Sequence, residues 1–154
     1  MNLNGVIIIF VIVLAVFFGV IFTQFNQGSK KLEATKVTIN EATYTAEIAQ
    51  TDEQKEIGLS GRDSIADDRA MLFVFEKPGT YQFWMKDMKF PIDIIFINGD
   101  KIVSFVENTQ PSPNNDNLQR YAPEGTIDKA LEVKAGTVQK SGFKKGDTVT
   151  IEKK

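Results

Sequence analysis

Four side chains give this sequence its main chances of doing chemistry: Trp84, Lys86, Asp93 and Glu132. Three of them stand in FWMKDMKFPIDIIFI (residues 83–97), and the fourth stands in LEVKA (131–135). Strand alternation puts Asp93 on the same face as Ile95 and Ile97, so an acid is set among apolar residues. A carboxylate there must be paired, hydrogen-bonded or solvated. In one reading, Asp93 is a fastener that accepts backbone N–H groups from the turn opened by Pro91. In the other, Asp93 meets Trp84, Lys86 and Glu132 at the mouth of a pocket. Lys86 beside an exposed Trp84 would suit an anionic or sugar ligand. Glu132 repeats the theme of an acid between apolar strand residues, and its structural alternative is an ion pair with Arg62. Two carboxylates could also work as acid and base on a glycoside if they stood roughly 5–10 Å apart.

The absences narrow these choices. The chain has 154 residues with no cysteine and no histidine. It therefore supplies no thiol nucleophile, disulfide, His/Cys zinc site or Ser-His-Asp triad, and no cofactor or metal site is expected. A net charge of −2 with interspersed lysines gives no basic stripe, so no nucleic-acid partner is expected. GFKKGD (142–147) lacks the spacing and the trailing Ser/Thr of a phosphate-binding loop, and reads as a turn into the last strand.

The elements that must position these residues begin after an apolar run. Gly5–Phe22 contains no charge, and a helix of that length rises about 27 Å, close to the hydrocarbon thickness of a bilayer. MNLN lacks the basic start of a signal peptide and no A-x-A pattern follows the run, so an uncleaved anchor is expected over residues 1–28. A polar linker follows at 29–34, and a globular domain at 35–154. Lys30, Lys31 and Lys36 taken alone would place that domain in the cytoplasm.

Within the domain, TKVTI and TYTAEIA flank Asn40-Glu41 and predict a hairpin over 36–49. Thr51 with Gln54 forms a capping box for a short helix that ends near Gly58. AMLFVF (70–75) and YQFWM (81–85) predict a second hairpin around EKPGT. IDIIFI and KIVSFV predict a third around Asn98-Gly99. Residues 107–125 form a long polar loop, which in a small domain is expected to arch over something. Strand, helical turn and closing strand complete the chain. The pattern is mainly β (α+β): a compact, mainly antiparallel curled sheet or small barrel with one or two short helices, preceded by one transmembrane helix.

The spaced blocks EIAQTDEQKEIGLSGR, AMLFVF, FWMKDMKFPIDIIFI, LEVKAG and GFKKGD resemble the domain of unknown function 192 family. Its members are small, often membrane-anchored or secreted bacterial and archaeal proteins. This sequence departs from the family pattern at Ala70, where glycine is commoner, at Asp87-Met88, where Asn-Thr is common, and at Ile92, which replaces leucine. The resemblance implies a β-rich fold and an extracytoplasmic setting, which outweighs the lysine bias, but no established reaction.

The function expected is a membrane-tethered, extracytoplasmic binding or accessory domain with no catalytic constellation. Its ligand-binding residues would be Trp84, Lys86, Asp93 and Glu132. Its partners would be the membrane and a small-molecule, sugar or envelope-protein ligand. The alternatives are a carboxylate-based envelope or carbohydrate hydrolase using Asp93 and Glu132, and a structural partner-binding module.

Overall fold

The computed structural model describes residues 32–115 and 118–152; the expected anchor lies outside them. Among these residues the strands are β1 (Ala34–Ile39), β2 (Ala42–Ala49), β3 (Arg69–Gly79), β4 (Ile92–Asn98), β5 (Lys101–Thr109), β6 (Ile127–Lys134) and β7 (Val149–Ile151). Two short helices accompany them, α1 (Asp52–Ile57) and α2 (Thr137–Ser141). The strands form one sheet in the order β5-β4-β6-β3-β2-β1-β7.

Local chemistry sets the tight connections. Asn40 takes φ +53° between β1 and β2, and Gly99 takes φ +60° between β4 and β5. Both values lie in the left-handed region that Asn and Gly tolerate best. At α1 the Thr51 side chain accepts the Gln54 N–H while the Gln54 side chain accepts the Thr51 N–H, which closes the expected capping box.

The sheet is mixed, because β2 and β3 run parallel while the other pairs are antiparallel. A parallel pair needs a long crossover, and the chain from Gln50 to Asp68, including α1, supplies it. This pairing also explains why the second expected hairpin is absent. Residues 70–73 of β3 already hydrogen-bond β2 on one edge and β6 on the other, so YQFWM has no free edge to join. That segment instead crosses a face of the sheet, with a single bridge between Phe83 and Tyr121.

The sheet curls into a half-barrel. At one end its edges are linked by the Lys101–Thr148 bridge and by the Gly146 N–H, which donates to the Ile102 carbonyl at 2.8 Å. Two apolar layers result. The first takes residues from every strand, including Val37, Leu72, Ile95, Leu131 and Val149, and is sealed by Val138 of α2 and by Phe143. The second covers the opposite face with Met71, Phe73, Ile94 and Phe96, beneath Leu59, Phe83, Met85 and Met88 from the connections. β4 is buried on both faces from Ile92 to Ile97, which accounts for an apolar run broken only at Asp93.

Candidate functional site

Glu132 lies in β6 between Met71 of β3 and Ile94 of β4, so its side chain belongs to the second layer. Only 6% of the residue is exposed. No side chain or backbone group among the described residues hydrogen-bonds its carboxyl. Because no sealed side-chain polar atom lacks a partner, the carboxyl oxygens open into the cleft that Glu132 helps to line. Burial pushes the Glu132 carboxyl up to about 8, against the smaller opposing pull of the Arg62 charge. Arg62 itself is committed elsewhere: its two terminal nitrogens fork onto Glu47 at 2.8 Å each. A bidentate pair of this kind fixes the guanidinium geometry. The ion pair expected between Arg62 and Glu132 is therefore an attraction at a distance, without a hydrogen bond.

The cleft above Glu132 holds about 450 Å³. Five rings stand in its walls, Phe73, Phe75, Tyr81, Phe83 and Trp84, with Met88 beside them. Phe75 and Tyr81 stack with centroids 3.6 Å apart and planes 7° from parallel, and Phe73 meets Phe83 edge-on at 5.4 Å. Asp52, Lys55 and Glu56 of α1 form a charged rim. The segment carrying Trp84 is held in place by backbone contacts. The Ser60 hydroxyl donates to the Lys86 carbonyl at 2.8 Å, the Gly61 N–H donates to the Asp87 carbonyl at 2.9 Å, and the Phe83 and Tyr121 backbones pair.

Gly58 shapes the same cleft at the end of α1. It has φ +51°, and a Cβ there would stand 3.3 Å from the Phe73 ring. Gly58→Ala is expected to destabilise the domain by about 1–3 kcal/mol through backbone strain alone, a loss readable in a denaturant melt.

Residues 35–151 match the profile of DUF192, described as an uncharacterized ACR. The chain belongs to the DUF192 family. Two solved structures share the fold. One is a "putative transcription regulator" from Sinorhizobium meliloti 1021, at 28% identity and TM-score 0.72, covering 80% of this chain and 98% of the other. The second is a protein of unknown function from Novosphingobium aromaticivorans DSM 12444, at 26% identity and TM-score 0.73, covering 80% of this chain and 89% of the other. No functionally curated protein matches the chain.

Within the DUF192 domain, two of the four expected site residues come together. Trp84 is half-buried and, like Glu132, lines the cleft, and the Arg120 guanidinium lies 4.2 Å from its ring centroid. Lys86 is exposed and lies outside the lining. Asp93 is fully buried in β4 opposite Val133, which places it in the first layer, on the other face of the sheet from Glu132. Its Oδ1 accepts the Asn108 N–H at 2.8 Å and the Gly136 N–H at 3.2 Å, and its Oδ2 accepts the Val138 N–H at 2.9 Å. Asp93 thus ties β4 to the end of β5 and to the start of α2. The turn before its own strand, where the sequence placed its donors, supplies none of these bonds.

The long loop begins later than expected, since β5 continues to Thr109. It docks on the Trp84 segment through Tyr121 and through the Asn115 amide, which donates to Asp87 at 2.7 Å. Among the described residues, no three acidic side chains gather closely enough to hold a metal ion. Phe75, Tyr81 and α1 were not singled out from sequence as site residues. Aromatic residues in a strand-like run read as core, and nothing local marks the few that border a cleft.

Proposed function

We propose that the chain is a membrane-tethered, extracytoplasmic binding domain that takes a small ligand in the cleft between the Phe75–Tyr81 pair, Trp84 and Glu132. The observation that carries this reading is Glu132, a buried carboxyl without a hydrogen-bond partner facing an aromatic cleft. Such a group lowers stability unless a ligand or another role compensates. The cleft's size, its ring-bearing walls and its few polar groups, Glu132 among them, match the usual make-up of a small-molecule site. Hydrolysis by paired carboxylates has less support, because Asp93 is occupied by three backbone donors on the opposite face. The regulatory name of the Sinorhizobium relative is compatible with the same cleft acting as a sensor.

Trp84 is the chain's only tryptophan, so its emission reports on the cleft without interference. A small-molecule screen on the full chain in non-ionic detergent is expected to find compounds that change this emission saturably. Phe75→Ala, which removes one wall, should weaken such compounds by about tenfold or more. Hits unaffected by Phe75→Ala would move the site elsewhere, and a screen without saturable hits would count against binding. The apolar run at 5–22 supports the tether, and the setting that the family resemblance implies supports the outward orientation. Protease added to intact cells is expected to digest the domain, and protection until lysis would reverse that assignment.

A further inference from the structure

We propose that the ligand of this cleft is an organic ammonium ion, whose nitrogen sits against the Glu132 carboxylate and whose alkyl groups rest on the rings of Phe75, Tyr81 and Trp84. The inference rests on the reading of the cleft as a ligand site and adds the ligand's chemical class. A buried carboxyl with no partner, opening into a ring-lined cleft, is matched best by a cation. The carboxylate, once ionised, supplies a full opposite charge, and each ring face not already covered by a neighbour supplies the negative side of its quadrupole. An anion would meet both as repulsion once Glu132 is ionised.

The charges around the cleft point the same way. Asp52 and Glu56 join Glu132 in the lining, against Lys55 alone, whose ammonium is 3.1 Å from Asp52. The rings already attract cations within the chain: the Lys55 ammonium stands 5.3 Å from the Phe75 centroid and Arg120 stands over Trp84.

Binding is coupled to a proton. The titratable groups that share the cleft with Glu132 are Asp52, Lys55 and Glu56 from α1 and Tyr81 from the segment after β3; Arg62, paired with Glu47, acts on it by its charge, and its strand neighbours Met71 and Ile94 are apolar. Burial keeps Glu132 protonated until about pH 8, so a cation binds the ionised minority at neutral pH and releases one proton to solvent.

The test uses the full chain in non-ionic detergent, with choline and tetramethylammonium as probes and 3,3-dimethyl-1-butanol as the uncharged isostere of choline. Trp84 emission is titrated at about pH 6 and about pH 9, with the affinity for choline expected to rise by at least about tenfold between them. The isostere should bind at least about tenfold more weakly than choline at the higher pH. Glu132→Gln should remove the pH dependence. Equal binding of choline and its isostere, or an affinity insensitive to pH and to Glu132→Gln, would overturn the ammonium assignment while leaving the cleft a ligand site. If both ammonium probes are silent while neutral molecules from the screen bind, the assignment also fails and the site stands. If neither class binds, the site itself is refuted.

Discussion

Glu132→Gln is expected to leave stability nearly unchanged at about pH 4 and to raise it by about 5 kcal/mol at about pH 9. In the unfolded chain Glu132 titrates near its ordinary value of 4.5, whereas burial in the folded domain holds it up to about 8. Between those values the folded state carries the extra proton. Stability contributed by the neutral carboxyl is therefore fully present below 4.5, falls as pH rises toward 8, and is absent above that. Glutamine mimics the neutral acid and does not ionise, so the variant keeps that contribution at every pH. Paired chemical melts across the range would show the two proteins diverging with pH. Parallel curves would mean that Glu132 is solvated or paired.

Asp93→Ala is expected to cost about 3–5 kcal/mol, which for a domain of this size lowers Tm by roughly 10 °C or more. The change strands the N–H groups of Asn108, Gly136 and Val138, which all donate to this carboxylate inside the fold. Asp93→Asn keeps one accepting oxygen but turns an N–H₂ group toward the remaining donors, so an intermediate loss is expected. Because Asp93 faces the layer opposite the cleft, neither variant should change the Trp84 response to a cleft ligand below its melting range. A stable Asp93→Ala domain that has lost ligand binding would show instead that the acid serves the site.

Features encoded within a few residues were readable in the sequence: the Asn40 and Gly99 turns, the capping box at Thr51, and the strands from β1 to β7. Pairing was harder to read. Nothing near AMLFVF says that β2 and β6 will occupy both its edges, so the local pattern predicts a hairpin with YQFWM. The same limit governed the acids. Asp93 and Glu132 each stood out as a charge in an apolar strand. Their fates differ because donors from Gly136 and Val138, more than 40 residues away along the chain, converge on Asp93, whereas Arg62, the cation whose charge acts on Glu132, is hydrogen-bonded to Glu47. Two acids on adjacent strands end on opposite faces through register alone: Asp93 pairs with Val133, and Glu132 with Ile94.

Titration of the Glu132 carboxyl tests most directly whether it stands buried and uncompensated in the cleft. Carbon-13 labelling of the glutamates, with Glu132→Gln to assign the resonance, would follow its side-chain carboxyl shift against pH in the full chain. A midpoint near 8 is predicted. A midpoint near the ordinary glutamate value of 4.5 would contradict this, because it would place the carboxyl in water or against a cation and leave the cleft without its distinguishing group.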